Sequence, residues 1–310
     1  MTEYDYIIVG GGASGLQLAD ALGSDPYFKG KRIALFEKLS QKSNDRTWCF
    51  WEPGPGKFDA LLKKSWDHIR FRGPDFERKL ALDPYRYKML RGEDFYREYH
   101  KRIAKHPNIE VRYEEVNSIE TGDAEAMVKT ASGEYKSSLV FSSVSFEPIE
   151  KLMKPFPVLQ QHFVGWFVRS KEPVFDPGVP TFMDFSIPQK GNTRFMYVLP
   201  ESPTEALVEY TLFSESFLET HQYEAALKAY MEKDLGNPSY EILEKERGSI
   251  PMTVNDFTAA DRPNLIHIGI AGGWAKASTG YTFWSTSKKV PMLIEALKKG
   301  KSLKMAVKSK

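Results

Sequence analysis

Apolar residues recur along this chain with two periods, and the change from one to the other marks its elements. Tyr6-Ile7-Ile8-Val9 is an unbroken apolar run, the pattern of a strand buried on both faces. Three glycines follow, and Leu16, Leu18, Ala19 and Leu22 continue at helical spacing. A second run, "KRIALFEK" (31–38), predicts another strand ending in Glu37. Residues 44–56, "NDRTWCFWEPGPG", read as a long loop closed by a Pro/Gly turn. "HIRFRG" (68–73) and "ERKLAL" (77–82) alternate like an antiparallel pair. Residues 92–106 predict an amphipathic helix, with Phe95, Tyr96 and Ile103 on one side and Arg97, Lys101, Arg102 and Lys105 on a solvated face.

Short strands are expected within 109–144, and from 155 to 250 the chain is strand-rich: "HFVGWFVRS", "PTFMDFS", "RFMYVLP" and "ALVEYTLFS". The last two are separated by "ESPTE" and predict a hairpin. A helix is expected over 223–235, and "GSIPM" (248–252) leads into a glycine-rich strand–turn–helix, "NLIHIGIAGGWAKASTGYTF" (264–283). This order predicts a mixed α/β fold: a Rossmann-type nucleotide-binding domain from 1–60, 86–154 and 251–310, and an antiparallel substrate domain from 61–85 and 155–250.

Composition narrows the picture. Hydrophobic residues make up 41% of the chain and charged residues 27%, as in a soluble globular protein. The net charge of +2 gives no field that favours nucleic acid. The six histidines show no metal spacing, so no metal is expected. The single cysteine, Cys49, rules out an internal disulfide framework and fits a reducing cytoplasm. A strand beginning at Tyr4 leaves no room for a signal peptide, and no apolar stretch approaches the roughly 18 residues of a membrane span. Any membrane association is therefore expected to be peripheral, at the inner face. The basic tail 298–310 reads as a solvated end.

Gly10, Gly12 and Gly15 form GxGxxG between strand and helix. The glycines let the turn close and bring backbone N–H groups to a pyrophosphate at the helix N-terminus, while an acid at Glu37 suits a ribose hydroxyl. This is a dinucleotide fingerprint. Its place at the N-terminus, with the second glycine element near Thr279-Gly280, favours FAD over NAD. Arg91, before the 92–106 helix, is a candidate for the flavin pyrophosphate or ring edge. Aromatics reach 13% and cluster at "TWCFW" (47–51), "HFVGWFV" (162–168) and "STGYTFW" (278–284), as core or as a pocket for a large apolar ligand. Glu209 is the one acid inside the strand "ALVEYTLF" (206–213), on the same face as Leu207, Thr211 and Phe213. Taken alone it reads as a surface carboxylate.

Several motifs together resemble the lycopene β-cyclase family: "RTWCFW" (46–51), "QHFVGW" (161–166), "FMDF" (182–185), "RFMYVLPESPTEALVEYT" (194–211), "IPM" (250–252) and "GGWAKASTGYTF" (272–283). The resemblance runs over nearly the whole chain. It implies a p-hydroxybenzoate-hydroxylase-like fold holding FAD, with NAD(P)H as reductant. It also implies a non-redox cyclisation that needs reduced flavin, turning the linear ψ-end groups of lycopene into β-ionone rings. The family's essential acid carries onto Glu209 and its "MD" onto Asp184. Glu209 would then be a desolvated, protonated acid that Asp184 hydrogen-bonds or positions. Trp48, Phe50, Trp51 and Trp166 would line the substrate and stabilise a cation. Tyr210 stands where the family often has Asp, Ser142-Ser143 and Gly269-Ile270 replace common flavoprotein pairs, and the chain ends where relatives usually continue. Two other readings stay open. One is an FAD-dependent monooxygenase or isoprenoid reductase; the other is a flavin- or carotenoid-binding protein without activity.

Overall fold

The computed structural model describes residues 2–146, 156–236 and 238–307. The last three residues of the basic tail and the expected boundary at 154/155 lie outside them. The chain divides into two units: Met1–Ser43, Phe95–Val158 and Met252–Lys310 form the first, Asn44–Asp94 and Leu159–Pro251 the second.

The first unit is built on a seven-stranded sheet. Strands β1 (Thr2–Val9), β2 (Ile33–Phe36), β8 (Ile109–Arg112), β11 (Glu134–Ser142) and β17 (Leu265–His267) run parallel. β9 (Val116–Thr121) and β10 (Ala126–Thr130) complete one side antiparallel, in the order β8-β2-β1-β11-β10-β9, with β17 also on β11. Ile7, Ile8, Leu35, Val140 and Phe141 are fully buried, as expected of parallel strands covered on both faces. Helix α1 (Ala13–Ser24) follows β1, and α2 (Gly92–Ile103) follows the strand before it. Near the C-terminus lie α4 (Phe283–Lys298) and α5 (Leu303–Val307).

The second unit is a two-layer β-structure. Its large sheet runs β16-β12-β15-β14-β13-β5-β6. These are β5 (His68–Gly73), β6 (Phe76–Ala81), β12 (Leu159–Ser170), β13 (Thr181–Asp184), β14 (Arg194–Pro200), β15 (Glu205–Ser214) and β16 (Tyr240–Met252). One face carries helix α3 (Thr220–Lys233): Tyr223, Leu227, Tyr230 and Met231 pack on Val164, Trp166, Met196, Val208 and Tyr210. The opposite face carries a small sheet, β3 (Thr47–Pro53), β7 (Tyr85–Arg91) and β4 (Lys64–Trp66), in the order β3-β7-β4. Here Cys49, Trp51, Trp66, Tyr87 and Met89 meet Phe167, Phe195, Tyr197, Leu199 and Leu207.

Two expectations are corrected. "TWCFWEP" is strand β3 rather than loop, as its aromatic content allows. Residues 44–60 and 86–94 belong with the antiparallel unit, because β3 and β7 pair with each other and β7 pairs with β4.

On the outer side of the small sheet Lys88 is 1% exposed, and its Nζ donates to Glu52 (2.8 Å), Asp59 (2.6 Å) and the Gly54 carbonyl (2.9 Å). Replacing Lys88 by Met leaves the buried Glu52 carboxylate without its cation. We expect a loss of about 3–5 kcal/mol, read as a lower denaturant midpoint in equilibrium unfolding.

Candidate functional site

In the first unit the parallel strands end together, and their carboxyl ends hold the glycine loop. Gly10 sits at φ +94°, a region open to glycine, and its N–H donates to the Phe36 carbonyl. A Cβ on Gly15 would lie 1.9 Å from the Gly10 carbonyl oxygen, so α1 approaches β1 only because that position is glycine. Glu37 accepts from the Gly11 N–H (2.7 Å) and the Leu39 N–H (3.1 Å) and is paired with Lys42 at 2.8 Å. Burial would raise its carboxyl; Lys42 and these N–H groups outweigh that and hold it below the ordinary range.

The loop fits a dinucleotide. Gly12 caps α1 with no side-chain hydrogen bond, and the space where its Cβ would stand is open. The first N–H groups of a helix have no intrahelical partner, so they are suited to meet an anion there. The second glycine element turns at Gly269 (φ +62°), Gly273 (φ +68°) and Gly280 (φ +70°), and a Cβ on Gly269 would meet Ser14 Oγ at 2.4 Å. The Thr279 and Gly280 N–H groups donate to the Lys276 carbonyl, whereas the buried Thr279 Oγ1 has no partner in the protein.

In the second unit Glu209 lies on β15 in register with Gly165 of β12 and Tyr197 of β14. Its face is the one shared by Phe167, Leu207 and Tyr197, toward the small sheet. Thr211 Oγ1 donates to Glu209 Oε1 at 2.6 Å. The residue as a whole is half-buried, so part of it remains accessible, while its carboxyl is crowded enough to be desolvated. Burial pushes that carboxyl up, and the Thr211 hydroxyl and the Glu246 carboxyl beside it offset only part of the rise.

Glu246, on edge strand β16, is the partner that sequence reasoning missed. It is 3% exposed, and Thr47 Oγ1 donates to its Oε2 at 2.8 Å. Burial raises its carboxyl well above the ordinary value, and the neighbouring Glu209 charge adds to the rise. "EILEKERG" is rich in charged helix formers and gives no apolar strand signal. What signal exists is period two: Glu244, Glu246 and Gly248 are turned inward, while Leu243, Lys245 and Arg247 are exposed.

The other candidates are not all brought to this place. Asp184 is fully buried on the α3 face, where it accepts from Arg72 (2.7 Å), Tyr230 (2.8 Å) and Ser186 (2.6 Å). The expectation that it hydrogen-bonds to Glu209 is corrected: Asp184 stands opposite Met196, whose side chain belongs to the α3 core, and Glu209 stands opposite Tyr197 on the reverse face. Trp166 likewise follows Gly165 and so points into the α3 core, away from Glu209. Of the aromatic candidates on β3, Trp51 shares the Glu209 face, 4.7 Å from the Tyr87 ring. Trp48 and Phe50 alternate to the outer side of the small sheet, where Phe50 meets Phe58. Arg91 is bonded to Glu244 and lies 4.6 Å over the Phe167 ring. Among the described residues no group of three or more His, Cys, Asp or Glu side chains is placed to hold a metal ion. No described helix is long and apolar enough to cross a membrane.

The fold defines the class first. It is a mixed α/β fold shared with solved reductase-like and monooxygenase structures. A geranylgeranyl bacteriochlorophyll reductase-like protein of Thermoplasma acidophilum superposes with a TM-score of 0.70 at 14% identity, over 99% of this chain and 82% of that one. The p-nitrophenol 4-monooxygenase of Pseudomonas putida superposes with a TM-score of 0.67 at 18% identity, over 98% and 82%. At such identities the likeness speaks for the fold alone. The chain belongs to the lycopene cyclase protein family, whose model matches residues 5–309. Its curated relatives include the lycopene beta-cyclases of Pseudescherichia vulneris and Pantoea ananas, each 25% identical over 291 residues. The first match covers 90% of this chain and 70% of the relative, the second 90% and 71%.

Proposed function

We propose that this chain is a carotenoid cyclase that closes the ψ-end groups of lycopene, or of a related linear carotenoid, into β-rings. The observation that carries the reading is Glu209: an accessible acid with raised proton affinity, on an apolar and aromatic face, in a member of the lycopene cyclase family. Gly10, Gly12, Gly15, Glu37, Thr279 and Gly280 would hold FAD. In its reduced, anionic form the flavin supplies negative charge that favours a carbocation.

Glu209 donates its proton to the inner, CH carbon of the terminal alkene, forming a C–H bond there and leaving a tertiary cation on the dimethyl carbon. The neighbouring alkene attacks that cation and closes the ring. Loss of a proton from the adjacent ring carbon leaves the double bond of the β-ring, and Glu209 takes a proton back as base. The atoms of product and substrate are the same, so no reductant is consumed. Leu207, Phe167 and Tyr197 exclude the water that would trap the cation. The ring faces of Trp51 and Tyr197 add cation–π attraction of about 0.5–2 kcal/mol each. Asp184, held by Arg72, Tyr230 and Ser186, is assigned a structural role. NAD(P)H is the proposed reductant of the flavin. Because lycopene dissolves in bilayers, the reading includes transient contact with the inner membrane surface.

Expression in lycopene-accumulating cells tests the proposal: red lycopene is expected to become orange β-ring carotenoid, without stoichiometric loss of NAD(P)H in the purified reaction. FAD-loaded protein that leaves lycopene unchanged sinks the cyclase reading. Stoichiometric reductant consumption would point instead to a monooxygenase or reductase.

A further inference from the structure

Glu209 and Glu246 stand on strands that are not neighbours. β15 and β16 flank β12, so their backbones are about 10 Å apart. A side chain on the middle strand would normally fill the gap. The middle residue is Gly165, and a Cβ there would lie 2.7 Å from Leu207 Cδ1, 3.1 Å from Glu246 Cγ and 3.5 Å from Glu209 Cβ. The two acids therefore stand side by side over a position where an added Cβ would press on Leu207 and on Glu246 itself.

Each carboxyl has one oxygen served by a hydroxyl: Thr211 for Glu209, Thr47 for Glu246. The other Glu246 oxygen, Oε1, is buried and receives no donor, and the side chain beside it is Glu209. A buried acceptor left unpaired is costly, and one proton between the two acids removes that cost. The other ionisable groups facing the pair supply no counter-charge. On β7, Arg91 is engaged by Glu244 and Glu93, and Tyr87 is a phenol. On β3, Cys49 is a thiol that burial keeps un-ionised. On β14 the neighbour is Tyr197, and on β16 it is Glu244, itself an acid. Two full negative charges in this setting would repel with nothing to offset them.

We infer that Glu246 is the proton partner of Glu209: the two carboxyls hold one proton between them, and Glu209, the accessible member, presents it to the substrate. Glu246 is a positioning residue, sealed behind Glu209 and oriented by Thr47. The pair loads the acid before each turnover and receives the proton released by the ring, so its proton count is restored. The kinetic part of this inference rests on the cyclase reading; the proton-sharing part does not.

Infrared titration of the FAD-loaded protein separates the two, because it needs no substrate. Wild type is expected to show a protonated-carboxyl band that persists above the ordinary carboxylate range, and in Glu209→Gln and in Glu246→Gln the remaining band is expected to titrate at lower pH. The amide introduced by Glu246→Gln can still donate to the Glu209 carboxylate but cannot share a proton, so Glu209 ionises at lower pH. The alkaline limb of kcat should move down by at least about one pH unit, about a tenfold loss of rate above it, with KM unchanged. Thr47→Val removes a donor that favours ionised Glu246, so it should move the same limb upward. A band and limb unaffected by Glu246→Gln overturn the proposal, as does a loss that is uniform at all pH. If Glu246→Gln fails to fold, a Thr47→Val limb identical to wild type overturns it. A carboxyl band that behaves as expected in a protein without cyclase activity leaves the shared proton standing and discards the cyclase reading alone.

Discussion

Glu209→Gln should lower cyclisation by about 10²- to 10⁴-fold, the range set by a positioned general acid, while leaving flavin content and thermal stability intact. Glutamine fills the same volume and can still pair with Thr211, but its amide cannot protonate an alkene. The stability half of the prediction follows from the sign of the shift. The Glu209 carboxyl is raised above its unfolded value of 4.5, so the folded state binds that proton more tightly than the unfolded state does. Stability therefore falls as pH rises from about 4.5 through the raised value, and Glu209 opposes folding on the alkaline side. The uncharged amide of the variant removes the opposing term. At about pH 8 the variant is expected to melt no lower than wild type, and above it if the pair is the main strained element. Product analysis by pigment extraction, with differential scanning fluorimetry on the acid and alkaline sides of neutrality, checks both halves. A variant that retains cyclisation discards Glu209 as the acid. A variant that loses both activity and alkaline stability makes it a structural residue.

The legible parts of this molecule were those where local chemistry and fold agree. The β1–glycine turn–α1 passage is readable because one buried apolar run, three glycines and one helical stripe each have a single physical use. The β14–β15 hairpin is readable because both strands are β-rich and separated by a short turn. The acid site was half legible. Period two puts Glu209 with Leu207 and Phe213, but nothing in one strand tells which face its neighbours turn toward it. One strand read alone therefore leaves Trp166 as a substrate candidate, although the neighbouring Gly165 is the residue beside Glu209, and leaves Asp184 as a partner of Glu209, although it lies on the reverse face of the sheet. β13 shifts register between Thr181 and Asp184, which breaks simple alternation. Glu246 stayed hidden for a different reason. β16 is an edge strand whose residues favour helix or solvent, and tertiary pairing with β12 overrides them. The pair exists through long-range register and one glycine, neither of which is a local property.

Gly15→Ala should leave the protein without flavin and measurably destabilised. The added Cβ would stand 1.9 Å from the Gly10 carbonyl oxygen, 3.1 Å from the Gly10 carbonyl carbon and 3.3 Å from Ile8 Cγ2. The obstacles at Gly10 are backbone, so relief requires α1 to move off β1, and that movement opens the turn whose N–H groups would meet a pyrophosphate. Overpacking of this kind costs about 1–3 kcal/mol. Gly12→Ala is the companion that separates the two consequences. Gly12 lies at φ −82°, which alanine adopts, and the added Cβ would meet nothing within 4 Å. On the proposed reading the same open space takes a phosphate, so Gly12→Ala should keep the apo-protein's melting temperature and weaken FAD binding. Flavin absorbance per protein after gel filtration, with melting curves of apo-proteins, reads both variants. Full flavin in Gly12→Ala would mean that the turn is a packing device and the cofactor is held elsewhere. Flavin lost from both, with stability lost only in Gly15→Ala, places the phosphates on the N-terminus of α1 and makes Gly15 the residue that brings that helix to the strand.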